Sequence, residues 1–270
     1  MKVLARKWLP AYAGLYVIFL YLPILLLPIF SVNASPIPQF PLTGITTKWY
    51  RDLPKTPALI DAAWNSLIVG VAAAVLSTVL GICAARAVTR YRFPGRRPIQ
   101  GLIMAPLVLP EIIIAISMLL ILLSLGLSLS LFTVVLGHVL ICIPYSITVL
   151  VSGFEGFDRS LEEASADLGE TAFGTFRRVT LPMVAPAIIS SLLVSFTISL
   201  DEFIMAFFLA GTETTLPIYI WGQLRFAAKL PGVLALGTLM LAASILMLTF
   251  AEVLRRRAER RTADAGAALA

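Results

Sequence analysis

From Ile112 to Phe154 the chain runs for 43 residues without an Asp, Glu, Lys or Arg. As one helix this stretch would reach about 64 Å, roughly twice the hydrocarbon core of a bilayer. It therefore has to turn once. The Gly/Ser cluster Ser124-Leu-Gly126-Leu-Ser128-Leu-Ser130 supplies the turn. A span over residues 99–123, which includes Glu111, and a second over 131–152 follow from that break.

Four further runs are apolar enough to cross a membrane. Leu9 to Phe30 lies inside an uncharged stretch from Trp8 to Thr47, and Ala62 to Ala85 is uncharged throughout. Val179 to Leu200 opens a run that continues past Asp201 and Glu202 towards Ala210, and Leu230 to Ala251 forms the last. The expected spans are residues 9–30, 62–87, 99–123, 131–152, 183–209 and 231–253. Six helices are expected, because the runs are continuously apolar and show no period-two alternation of the kind a barrel strand needs. Of the 270 residues, 59% are hydrophobic and 13% charged. A soluble domain carries roughly 25% charged residues and has no interior large enough for this much apolar surface. Soluble enzymes and nucleic-acid-binding proteins are therefore poor readings, and an all-α integral membrane protein is expected. The first span is expected to be retained: Lys2, Arg6 and Lys7 resemble the start of a signal peptide, but the apolar stretch is too long for one.

The formal charge of +6 divides unevenly along the chain. With the N-terminus inside, the inner segments hold Lys2, Arg6, Lys7, Arg86, Arg90, Arg92, Arg96, Arg97, Arg159, Arg177, Arg178, Arg255, Arg256, Arg257, Arg260 and Arg261. The outer segments hold Lys48, Arg51, Lys55, Arg225 and Lys229. Basic loop residues favour the cytoplasmic side, so both termini are expected to be cytoplasmic. Residues 255–270 then form a basic cytoplasmic tail.

Chemistry-bearing residues are few. Cys83 and Cys142 lie in different apolar runs and read as small hydrophobes. His138 is the only histidine, which leaves little for a metal site or a triad. No GxxxxGK[ST] loop occurs, so the chain has no P-loop to hold ATP phosphates, and any energy has to come from a partner. Three acids fall within expected spans: Glu111, Asp201 and Glu202. Each is costly in lipid and should face the bundle interior or water, although Glu202 also fits a span end near the interface. Pro106 and Pro110 precede Glu111 and can open a helix toward a cavity. Trp49, Tyr219 and Trp221 fall in outer segments, where they can anchor at the interface or offer ring faces to an ammonium group.

Residues 153–182 form the longest inner loop. Ser160-Leu-Glu-Glu163 has capping-box spacing, which predicts a helix starting near Ser160. Leu161, Ala164, Ser165 and Leu168 form a mostly apolar stripe at helical spacing, and Gly169 follows where a C-terminal cap belongs. A helix lying on the membrane would be rich in Lys and Arg, whereas this one carries acids at its centre, so docking into a protein is favoured.

The segment reads Glu163-Ala164-Ser165, three residues, Gly169, nine residues, Val179-Thr180-Leu181-Pro182. It resembles the EAA loop of binding-protein-dependent ABC importer permeases, with Ser165 in place of an alanine and Val179 in place of an isoleucine. Further stretches resemble the second permease of spermidine/putrescine-type importers: Thr47 to Tyr50, Ala105 to Glu111, Ala115 to Ser117, Gly156 to Asp158, Ser199 to Phe203, and Leu216 to Arg225. The resemblance implies a type I ABC importer permease fold in a bacterial inner membrane. It also implies that Ser160, Glu163, Ala164, Ser165, Gly169, Leu181 and Pro182 belong to a loop whose helix couples to an ATPase. The implied partners are a second homologous permease, two ATP-binding cassette subunits that use ATP and Mg, and an extracytoplasmic solute-binding protein. This chain would bind no cofactor and catalyse no reaction. Trp49, Glu111, Asp201 and Trp221 match positions that line a polyamine route, and Glu202 and Tyr219 are grouped with them as pathway residues. Permeases for amino-acid derivatives, phosphonates or metal complexes share much of the pattern, and an ion-coupled secondary transporter is the alternative from another class.

Overall fold

The computed structural model describes residues 2–246 and Thr249. In chain order the helices are α1 (Lys2–Ser31), α2 (Lys48–Asp52), α3 (Pro57–Arg90), α4 (Arg96–Met104), α5 (Glu111–Ser124), α6 (Leu131–Glu155), α7 (Ser160–Asp167), α8 (Ala172–Thr175), α9 (Leu181–Asp201), α10 (Ile204–Leu209) and α11 (Leu216–Leu224), followed by α12 (Ala227–Leu246). The extended pairing among the described residues is a single bridge between Asn33 and Ile45. Five stretches are long and apolar enough to cross a membrane: Trp8–Ser31, Pro57–Arg90, Leu131–Glu155, Ala172–Asp201 and Ala227–Leu246. A sixth is the pair Arg96–Leu107 and Glu111–Ser124, bent by 103°.

Two departures from the expected spans matter for function. The third span is not one helix but two, and the fifth does not continue to residue 209: α9 stops at Asp201 and a separate α10 follows. Both breaks have local causes, described below. The end of the sixth span and the basic tail at 255–270 lie outside the described residues.

The described residues pack as two units, one comprising the chain up to Ile60 with Tyr219–Leu246, the other Asp61–Ile218. In the second unit, α6 and α9 lie side by side along a seam of small polar residues. His138, Cys142 and Ser146 step by four along α6 and meet Ser199, Ser195 and Ser191, which step by four in the opposite sense along α9. His138 Nδ1 and the Ser199 hydroxyl are 2.6 Å apart, Cys142 Sγ donates to the Ser195 carbonyl at 3.4 Å, and the Ser146 and Ser191 hydroxyls are 2.8 Å apart. Small residues let backbones approach closely, and hydroxyls then hold helices together where no hydrophobic effect separates protein from lipid. Thr78 of α3 joins the seam through Ser191 at 3.0 Å, and Ser146 donates to the Ser77 carbonyl at 3.0 Å. An apolar cluster around Val69, Ala73, Val134, Met205 and Leu209 fills the neighbouring space, with the short α10 packed against α5 and α6.

In the first unit, Asn33 organises the segment after α1. Its Oδ1 accepts from the Thr43 backbone N–H at 3.2 Å and from the Thr43 hydroxyl at 3.1 Å. The most apolar window of α1 is 0% buried within the chain, so that helix presents its sides to lipid or to another subunit.

Candidate functional site: paired acids at two helix breaks and a buttressed loop helix

Proline supplies no backbone N–H, so Pro106 and Pro110 remove two donors from what would be one continuous helix. The chain tightens to a 3-10 turn over Ala105–Leu107, turns at Pro110, and restarts with Glu111 as the first residue of α5. A carboxylate there faces the positive end of the helix dipole. The second break lies at Glu202, whose ψ of 114° is extended. Its Oε1 accepts the Met205 N–H at 3.0 Å and so caps the restarted helix α10. The side chains of Glu111 and Glu202 lie close to each other, which brings the two breaks together. Asp201, the last residue of α9, is exposed.

The loop helix α7 begins at Ser160, but the expected capping box is not what starts it. Ser160 lies inside the first turn and Arg159 precedes it. The acceptor is Asp158, whose Oδ1 takes the Ser160 N–H at 2.9 Å. That bond holds the Asp158 carboxyl below the usual carboxylate range. A carboxylate two residues before a helix satisfies a first-turn donor as well as a serine at the cap does. The C-terminal end follows the sequence expectation. Gly169 has φ +84°, its N–H reaches the Ala166 carbonyl at 2.9 Å, and the Glu170 N–H reaches the Ser165 carbonyl at 3.2 Å. This is a Schellman cap, and its left-handed position suits glycine.

The faces of α7 differ. Leu161, Ala164, Ser165, Leu168, Gly169 and Val179 line an open groove, with Leu168 89% exposed. Glu163 pairs with Arg159 at 3.1 Å in solvent. On the other side, Glu162 accepts from the Thr180 hydroxyl at 2.6 Å and lies 2.9 Å from Arg90 Nε. Past α8, Phe176–Thr180 forms a π-turn before Leu181 and Pro182 open α9. Pro182 cannot donate to the carbonyl four residues back, which accounts for the slip in register.

The aromatic residues belong to the first unit. Trp49 Nε1 donates to the Asn33 carbonyl at 2.8 Å. Trp49 and Tyr219 line one cavity of about 270 Å³ together with Asp52, Gln223 and Lys229. Burial pushes the Tyr219 phenol above its ordinary pKa and keeps it neutral. Lys229 lines the cavity, and Lys55 lies 3.0 Å from Asp52, so this cavity is not strongly negative. Trp221 is 47% exposed and is not part of the lining.

Residues 77–260 match the family described as the binding-protein-dependent transport system inner membrane component. The chain belongs to that family. The putrescine transport system permease protein PotI of Escherichia coli strain K12 is 38% identical over 250 residues, covering 90% of this chain and 88% of that one. The spermidine/putrescine transport system permease protein PotC of the same strain is 33% identical over 241 residues, covering 88% and 90%. Among solved structures, a bacterial ABC transporter for alginate import aligns with a TM-score of 0.73 at 18% identity, covering 94% of this chain and 96% of that one. The chain thus has the fold of ABC importer permeases.

Seen as a permease of this family, the chain holds features that sequence reasoning missed. In the sequence Arg86 and Arg90 read as topology signals. In the structure the Arg86 guanidinium lies 4.5 Å from the Phe176 ring centre and the Arg90 guanidinium 5.4 Å from that of Phe157, so both face the loop. Their spacing of four residues at the end of a span was the available sign. In the sequence Glu162 reads as one of the acids flanking the apolar stripe, beside the motif glutamate Glu163.

Proposed function

We propose that this chain is one of two permease subunits of an ATP-driven importer for a small organic cation of the polyamine class. The observation that carries the reading is the proximity of Glu111, at the bend of one span, to Glu202, where α9 ends. Half-buried acids between helices are costly unless they serve a polar route, and a negative route suits an ammonium-bearing solute. Broken helices at the centre of a bundle leave backbone groups free to line such a route. The relatives PotC and PotI are named for spermidine and putrescine, and polyamines carry the positive charge this site would attract. Asp201, next to Glu202 and exposed, extends the negative potential. Trp49, Tyr219 and Trp221 would contribute ring faces in the outer segments.

The exposed groove of α7 would seat in a cytoplasmic ATPase subunit, with both chain termini on that side. A second permease would complete the pathway, two ATPase subunits would supply ATP and Mg chemistry, and an extracytoplasmic binding protein would deliver the solute. ATP binding would close the ATPase pair, shift α7, and switch the bundle from inward-facing to outward-facing.

Uptake of radiolabelled putrescine and spermidine by vesicles containing the complete transporter tests the reading. Glu111→Gln and Asp201→Asn should each lower uptake about tenfold, the scale of one lost charged contact, with ATPase copurification unchanged. Full uptake in both variants would remove the basis for a polyamine route. Dependence on proton motive force instead of ATP would replace the importer with a secondary transporter.

A further inference from the structure

At 34 residues, α3 is about 51 Å long, well beyond the roughly 30 Å of a bilayer core. A helix of that length extends beyond the core, and Arg86 and Arg90 lie four residues apart at its C-terminal end. Both arginines reach the loop that contains α7, on either side of the helix: Arg90 over Phe157 before it and Arg86 over Phe176 after it. Between them, Glu162 of α7 makes the direct link. Its Oε2 lies 2.9 Å from Arg90 Nε, while its Oε1 accepts from the Thr180 hydroxyl at the foot of α9. The side chains of Arg90 and Glu162 are 12% and 15% exposed, and Thr180 is fully buried. The Arg90 Nε approach is not aligned as a hydrogen bond, so the attraction is chiefly coulombic. Water screens such a pair little, and losing one partner strands a charge.

Resting on the reading of α7 as the ATPase-docking helix, we propose that Glu162 is a positioning residue that transmits the movement of α7 to α3 and α9. One carboxylate grips two transmembrane helices at once, 72 positions from Arg90 and 18 from Thr180 in sequence. The groove that would contact the ATPase lies on other residues of α7, Leu161, Ala164 and Leu168 among them. Docking and transmission are thus divided between different side chains of one eight-residue helix. A displacement of α7 reaches α3 through this ion pair without passing through the intervening chain.

The test uses the complete transporter in proteoliposomes, reading ATPase copurification, ATP hydrolysis and putrescine uptake separately. Glu162→Gln and Arg90→Gln alone each strand a partner. The deciding variant therefore carries Glu162→Gln and Arg90→Gln together, which removes both charges and leaves none orphaned. It should copurify with the ATPase in native yield and hydrolyse ATP, yet deliver about tenfold less putrescine per ATP, within the usual range of coupling strengths between sites. A merely structural pair would be repaired by this double change, so native uptake per ATP would overturn the proposal. Loss of ATPase from a complex whose permease melts normally would also overturn it by assigning Glu162 to docking. Thr180→Val removes one contact without touching a charge and decides the matter if the double variant does not assemble. Lowered uptake per ATP in it supports transmission, and unchanged uptake overturns it. Leu168→Asp tests the underlying reading separately: it should release the ATPase, and retention there would fail the docking assignment while leaving the Glu162 measurements interpretable.

Discussion

At the scale of single residues, position in the backbone decides which side chains cannot be exchanged. Gly169 sits at φ +84° in the cap of α7, a region that costs an ordinary L-residue roughly 1 kcal/mol. Gly169→Val should fray the end of α7 and lower ATPase copurification several-fold, read by pull-down at matched permease levels. Asp158 acts at the other end. Because its carboxyl is held below the ordinary carboxylate range by the Ser160 N–H, its contribution is complete above a pH of about 4 and fades as the pH falls through its lowered folded-state value. Amide protection of α7 should therefore be greater in the native chain than in Asp158→Ala at pH 7. Asp158→Asn, which keeps an acceptor oxygen, should restore most of the difference. The spacing of Glu163 and Gly169 was readable without a structure, since both depend on local helix geometry. Spacing alone does not mark Asp158 as the cap, because Ser160 offers an equally good local cap in the sequence.

At the scale of elements, two features organise the second unit: the helix breaks and the hydroxyl seam. Pro110→Ala restores a donor where α4 and α5 part. If it lets them approach one continuous helix, Glu111 leaves Glu202, and putrescine uptake should fall while complex yield holds. In the seam, Ser191 joins Thr78 and Ser146 in one buried network. Ser191→Val should lower stability by about 1–3 kcal/mol, since two buried hydroxyls lose a partner, and thermal melting in detergent measures it. The prolines mark in the sequence where a helix can open, although the expected span runs unbroken over 99–123. For the second break, the sequence allows Glu202 to end a span, but the restart depends on Glu202 capping α10 while α10 packs against α5 and α6.

At the scale of the whole molecule, distribution of charge governs orientation and partners. The excess of Lys and Arg in alternate loops predicts that α7 faces the cytoplasm. A cysteine at position 168, introduced after Cys83 and Cys142 are replaced, should react with an impermeant maleimide in inside-out vesicles and be protected in right-side-out ones. The bare sides of α1 are a second property at this scale. A helix whose most apolar window is unburied in its own chain is covered by lipid or a neighbouring subunit.

Membrane residence, the approximate spans and the family-like loop were determined by the sequence itself, because each is written in runs, periods and spacings within a few tens of residues. The tertiary structure alone decided which acids and bases meet. Glu111 finds Glu202, and Arg90 finds Glu162, across separations of 91 and 72 positions. Such pairings have no local signature, since they arise only when helix packing brings distant turns to the same depth and removes the water between them.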